Sequence, residues 1–286
     1  MVGGENMKKV RFTAPYFLKS KLLEDSEHFS LLIGEMGNRI LKYYSNRELE
    51  NYHFEMKKGE IIQFNLNKWN EELYDTILQE HNVVNEAEFL RNMFFHYMNQ
   101  PRYMREEILF FDIFAQIRLA MEDNKKIHIK YNGQIRTVSP YLIKVSPNED
   151  RSYVFVYCET NNEFRNYRIT NMESVSISIK ERKEVDWNYV QEIERNFDPF
   201  LSYGNIVKVK MTPEGEALWK TALINRPKLI KQEKDIWTLE CANRLAKIYF
   251  SQFLSKVEII EPLSLRQWFI EEWKRGIAKY EGGYDE

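Results

Sequence analysis

One pattern limits the folds open to this chain more than any other. A short strand with one polar face, followed by two helices, occurs twice within the first 100 residues. The first copy begins Lys8-Lys9-Val10-Arg11-Phe12-Thr13. Side chains along a strand alternate between faces, so Val10 and Phe12 point one way and Lys9, Arg11 and Thr13 the other. Pro15 suits the first turn of a helix. The amphipathic run from Tyr16 to about Glu24 predicts that helix, Asp25-Ser26 predicts a break, and a second helix is expected from about Phe29 to Tyr44. The second copy begins Glu60-Ile61-Ile62-Gln63-Phe64-Asn65-Leu66-Asn67, with Ile62, Phe64 and Leu66 on one face and Gln63, Asn65 and Asn67 on the other. Asn67 can cap a helix from Lys68 to Gln79. Asn85 and Glu88 form a capping box for a helix that runs to about Met98.

This repeat resembles the ribbon-helix-helix fold, in which two copies pair their strands into an antiparallel ribbon and interlock their helices. Both copies sit in one chain here, so the pair can form within it or between chains. In that family the polar strand face enters the major groove of DNA. The resemblance therefore implies Lys9, Arg11, Thr13, Gln63 and Asn65 as reading residues. Arg and Lys can donate to guanine, and Gln or Asn can bond adenine. The same polar residues would also suit the plain solvent face of a short ribbon.

A length of 286 residues suggests two or three domains. The formal net charge of -2 excludes binding to nucleic acid by bulk charge, and leaves local basic patches as the route. Glu71, Glu72, Asp75, Glu80, Glu86 and Glu88 would repel phosphate, so any approach by the second copy is confined to the ribbon and the Lys8-Lys9 end. No apolar run reaches the roughly 20 residues that span a bilayer, and the opening residues lack the apolar stretch of a signal peptide. A cytoplasmic location with no membrane partner is expected. Cys158 and Cys241 lie far apart in apolar runs and read as small buried residues in a reducing compartment, with a disulfide disfavoured.

A connector over residues 101–124 contains a packing helix from about Glu106 to Met121, in which Ile108, Phe111, Phe114, Ala115 and Leu119 recur at helical spacing. From Lys126 the period changes to two. Strands are expected at Ile127–Tyr131, Gln134–Val138, Tyr141–Val145, Ser152–Cys158, Phe164–Ile169 and Ser174–Ile179, with a hairpin turn at Asn132-Gly133. Short strands joined by tight turns predict a small barrel over residues 125–181. A linker is expected over 182–204. The order strand, helix, strand, strand, helix, strand over 205–286 is a ferredoxin-like pattern, with Thr212 and Pro213 opening its first helix.

The middle region is similar to WYL domains, which resemble Sm-type small barrels. The residues that carry the likeness are Ile129-Lys130-Tyr131, Arg136-Thr137-Val138-Ser139-Pro140-Tyr141-Leu142, Ser152-Tyr153-Val154 and Arg165-Asn166-Tyr167-Arg168-Ile169. Of the Trp-Tyr-Leu that names the family, only Tyr153 is present. The resemblance implies a nucleic-acid ligand held by Ser139, Tyr141, Tyr153, Arg165, Tyr167 and Arg168. Guanidinium groups can hold phosphates in bidentate fashion, and Tyr rings can stack on unpaired bases. Alternation puts Arg165 and Tyr167 on one face and Arg168 on the other. The extension after the domain resembles the one that mediates dimerisation in the family, which implies a homodimer.

No metal-ligand spacing, nucleophile elbow, phosphate-binding glycine loop or dinucleotide fingerprint occurs, so neither an enzyme nor a cofactor or metal site is expected. The combination looks like the WYL accessory proteins of type VI-D CRISPR systems. That implies single-stranded RNA as ligand and an RNA-targeting effector as partner. The alternative is a transcriptional regulator whose ribbon binds duplex DNA while the barrel senses a ligand.

Overall fold

The computed structural model describes residues 8–53, 58–146 and 149–281. The two polar strands, β1 (Lys9–Ala14) and β2 (Glu60–Asn65), pair antiparallel within the one chain, with Lys9 opposite Asn65 and Arg11 opposite Gln63. Their inner faces bury Val10, Phe12, Ile62 and Phe64. Beneath lie α1 (Tyr16–Phe29), α2 (Ile33–Tyr44), α3 (Lys68–Glu80) and α4 (Glu86–Met98), and Phe12 packs on Phe94 of α4 with ring centroids 5.1 Å apart. Gly37 of α2 admits the Phe64 ring: a Cβ there would lie 2.8 Å from it. Asn38 fastens β2 to α2, donating to the Asn65 carbonyl at 2.9 Å and accepting from the Asn67 amide at 2.8 Å.

The expected break at Asp25-Ser26 is absent, and α1 runs through to Phe29. A free Asp or Ser side chain disrupts a helix by competing for backbone groups. Here the Asp25 carboxylate is fully buried and occupied by Arg105 and Tyr97, while the Ser26 hydroxyl reaches forward to the Leu31 carbonyl. The helix ends at Ser30, whose φ of 54° is left-handed, and α2 begins only at Ile33. The connector is likewise two helices, α5 (Arg102–Leu109) and α6 (Phe111–Glu122), broken at Phe110 with φ -111° and ψ 26°.

The middle region forms β3 (Lys125–Tyr131), β4 (Gln134–Ser146), β5 (Arg151–Cys158), β6 (Glu163–Arg168) and β7 (Met172–Glu181). They make one antiparallel sheet in the order β6-β5-β4-β3-β7. The two strands expected either side of Ser139-Pro140 are one long strand, β4, whose register against β5 shifts between Pro140 and Leu142. The expectation of a closed barrel is corrected: among the described residues no ladder joins β6 to β7. The strand β6 is only six residues long, and the helical turn Ile169–Asn171 carries the chain from it to β7.

The expected linker contains a helix, α7 (Trp187–Arg195), capped by Asp186. Its Val190 and Ile193 pack on Tyr141, Phe155 and Tyr157, covering one face of the sheet. The rest of the chain forms β8 (Ile206–Met211), α8 (Pro213–Thr221), β9 (Lys228–Glu233), β10 (Ile236–Glu240), α9 (Asn243–Phe250), β11 (Val257–Glu261) and α10 (Leu263–Glu281). Its sheet is antiparallel in the order β11-β8-β10-β9. Thr212 caps α8 by accepting from the Gly215 amide at 3.1 Å. One apolar core is continuous from Val10 on the ribbon through Phe114 to Val156 on the middle sheet, and the last sheet has a core of its own. Both cysteines are buried and unpaired. No helix among the described residues is long and apolar enough to cross a membrane.

Candidate nucleic-acid interface

The face of the middle sheet that packs on α6 runs out, at its far edge, into a basic cleft. Its position follows from strand alternation and register. Ile127, Ile129 and Tyr131 share one face of β3, and Arg136 lies opposite Ile129 on β4. On β6, Arg165 lies opposite Val156 and Tyr167 opposite Val154. The inner ends of these strands are apolar and buried, whereas their outer ends carry Tyr131, Arg136 and Arg165. Tyr131 meets Tyr167 edge-on at 4.8 Å, and the Tyr167 hydroxyl donates to the Cys158 sulfur at 3.4 Å. Burial pushes the Tyr167 phenol up to about 12, so it stays protonated near neutral pH.

Beyond this pair of rings opens a cleft of about 630 Å³. Asn132, Arg136, Arg165 and Asn171 line one side, and the Pro199–Leu201 segment with Arg244 of α9 lines the other. The Arg136 guanidinium is steered by Gln134 at 2.6 Å and Asn161 at 3.1 Å, both neutral. Arg165 is held by its strand neighbour Glu163 at 2.6 Å, yet its side chain stays 37% exposed. The Arg244 side chain makes no hydrogen bond or ion pair among the described residues. Three guanidiniums thus face one lining carboxylate, which gives local positive charge on a chain that is weakly acidic overall. Planar donors of this kind suit phosphate oxygens, and ring faces beside them suit unpaired bases.

The six residues implied by the family resemblance do not form one site. Arg165 and Tyr167 line the cleft. Arg168 projects from the opposite face, level with Tyr153 across the ladder, and lies within electrostatic reach of Glu106 and His28. The Tyr153 hydroxyl donates to Glu149 at 2.6 Å. Ser139 and Tyr141 are buried and bind the backbone of Lys183, the serine oxygen accepting from its amide at 3.0 Å and the tyrosine donating to its carbonyl at 2.7 Å. Arg136 was open to sequence reasoning, because a two-residue turn at Asn132-Gly133 pairs position 129 with 136 and so sends Arg136 to the face of Ile129. Arg244 carried no such signal, since it arrives from a separate unit of the fold.

Glu106, buried to 1% exposure on α5, accepts from the Ser152 amide of β5 at 2.8 Å. Burial pushes its carboxyl up to about 7, against the opposing pull of that hydrogen bond and of Arg168 and Arg151. The neighbouring Arg105 holds the buried Asp25 of α1 through two bonds of 2.7 and 3.0 Å. Adjacent residues of α5 therefore fasten the ribbon unit and the middle sheet together.

The ribbon residues are brought together on one surface. Lys9, Arg11, Thr13, Gln63 and Asn65 are all exposed on the outer face of β1 and β2. The side chains of Lys9, Arg11, Gln63 and Asn65 make no hydrogen bond or ion pair among the described residues. Lys8, at the end of the ribbon, is engaged by Asp75 at 2.7 Å.

A model of the WYL domain family matches residues 112–177. The crystal structure of a CRISPR Cas-related protein superposes over 99% of this chain and 96% of its own, with a TM-score of 0.63 and 14% identity, which is a likeness of fold. The proteasome accessory factor B/C of Arthrobacter aurescens aligns over 93% of this chain and 49% of its own, at 15% identity. Its TM-score is 0.30. No curated protein matches the chain.

Proposed function

We propose that this chain, whose residues 112–177 match the WYL domain family, is a nucleic-acid-binding regulator whose WYL cleft takes an unpaired strand of RNA. The observation that carries this reading is the open cleft in which Arg136, Arg165 and Arg244 converge beside the Tyr131 and Tyr167 rings. Guanidiniums hold the phosphates of the strand and ring faces receive its bases. The activity is binding, with no catalytic step. In this reading the ribbon unit is a ribbon-helix-helix pair, the middle sheet a split relative of the Sm-type barrel, and the last unit a ferredoxin-like extension through which two copies associate. The fold shared with a CRISPR Cas-related protein supports a CRISPR setting, and the sequence resemblance to WYL accessory proteins points within it to an RNA-targeting effector, such as that of type VI-D, as the regulated partner.

A second reading has its own observation. The ribbon presents Lys9, Arg11, Gln63 and Asn65 with no internal partner, as a strand pair that reads the major groove of duplex DNA would. Fluorescence anisotropy with a single-stranded RNA and a duplex DNA of matched length separates the two. The RNA reading expects an Arg136→Ala, Arg165→Ala variant to lose RNA affinity while Lys9→Ala, Arg11→Ala keeps it. Duplex binding abolished by the ribbon variant, with weak and unchanged RNA binding throughout, would replace the first reading by the second.

A further inference from the structure

Ser139, Tyr141 and the segment that follows β7 point to a contact outside the cleft. Lys183 is gripped at both backbone polar atoms, by Ser139 and Tyr141. Beside it, Arg182 donates to the Pro140 carbonyl at 3.1 Å and to the Asn124 side chain at 2.7 Å. Its guanidinium is fixed 5.1 Å from the ring of Tyr141 and 5.1 Å from that of Trp187. Trp187 opens α7 and is 50% exposed. Two hydrogen bonds and the Tyr141 ring thus hold a cation beside an aromatic ring that is half open to solvent. Trp187 meets the apolar cluster under α7 only edge-on, at Tyr141 with ring centroids 6.1 Å apart, and leaves half of its surface to solvent.

A continuous polar ridge joins this platform to the cleft. Asn161, at the tip of the β5–β6 hairpin, accepts from Arg136 on the cleft side. Its neighbour Asn162 accepts from the Tyr157 hydroxyl, and the Lys183 ammonium sits 3.5 Å from the Tyr157 ring centroid. Lys183 forms no ion pair among the described residues. It adds positive charge beside a ridge whose tip offers two exposed asparagines.

We propose that the exposed ring of Trp187, with Arg182 beside it, is a second stacking site for the same single strand, which leaves the cleft over the Asn161-Asn162 tip and places a further base on the indole. Ser139 and Tyr141 are then positioning residues: they act on the strand only through the loop they hold. This inference rests on the RNA reading of the cleft and adds the direction in which the strand runs.

The test is a length series of single-stranded oligoribonucleotides, from three to about twelve nucleotides, titrated by anisotropy against the full chain and its Trp187→Ala and Trp187→Phe variants. One lost base–aromatic stack corresponds to a fall of about tenfold in affinity. The expected result is that fall for the longer oligonucleotides in Trp187→Ala, a smaller one in Trp187→Phe, and no change for the shortest, which only the cleft contacts. Unchanged short-oligonucleotide binding also shows that the variant is folded. Equal binding by wild type and Trp187→Ala at every length overturns the second site. Equal weakening at every length also overturns it, because the ring would then belong to the cleft or to the fold. Failure of the wild-type chain to bind any RNA, or full binding by Arg136→Ala, Arg165→Ala, rejects the cleft reading itself and is distinguishable from both.

Discussion

Glu106 binds a proton more tightly in the folded chain than in the unfolded one, since its carboxyl moves from 4.5 to about 7 on burial. The stability linked to this proton is fully present below pH 4.5 and is lost as pH rises through 7. The loss amounts to about 3 kcal/mol, at 1.36 kcal/mol per pKa unit. Glu106→Gln keeps an acceptor for the Ser152 amide and cannot ionise. Urea denaturation at pH 5 and pH 8 is expected to show the variant gaining on wild type by a few kcal/mol at the higher pH; an unchanged difference contradicts the assignment. The two arginines of the Arg-x-Tyr-Arg strand are also expected to part company. Arg165→Ala should weaken RNA binding by about tenfold, as a charge-assisted contact does. Arg168→Ala, on the other face, should leave cleft affinity unchanged, and equal losses from both in anisotropy would refute that separation.

The helix α7 shows which elements a sequence reveals and which it hides. The strands of the middle sheet were legible because Ile127 and Ile129 alternate with Lys126, His128 and Lys130 and Asn132-Gly133 fixes a turn. The ribbon was legible for the same reason, and because the motif occurs twice. The nine residues of α7 bury Val190 and Ile193 one turn apart behind an Asp186 cap, signals that were there to be read but span so short a polar stretch that it passed for a linker. Asp25-Ser26 misled because it reads locally as a break, while its partners Arg105 and Tyr97 lie some seventy to eighty residues away. The cleft was half legible: alternation separates Arg165 from Arg168, but no local pattern announces that Arg244 comes to face Arg165. Packing of α7 carries its own expectation. Ile193→Ala should cost about 2–4 kcal/mol by leaving a cavity over Phe155 and Tyr157. Limited proteolysis should then cut first between Arg182 and Asp186, and a loss below about 0.5 kcal/mol would mean that α7 is not docked on the sheet.

Across the whole chain, the ribbon unit, connector and WYL sheet share one core, and α5 clasps both ends of it through Arg105 and Glu106. Removing one partner of a buried ion pair leaves the other unpaired, at a cost of about 3–5 kcal/mol. Asp25→Ala is therefore expected to lower the thermal midpoint of the ribbon unit and the WYL sheet together, in a single transition seen by hydrogen exchange. Separate transitions would show that the two fold independently. The placement of a basic cleft between this body and the C-terminal unit is what gives the chain its proposed role. That role is tested most directly by measuring the affinity of the full chain for an unstructured single-stranded RNA against salt concentration, beside the Arg136→Ala, Arg165→Ala variant. The account expects wild type to bind with a steep salt dependence, and the variant to lose at least tenfold in affinity and about 1.4 from the slope of log K on log salt, at roughly 0.7 for each phosphate contact removed from a single strand. Identical affinities and slopes for the two proteins would contradict it.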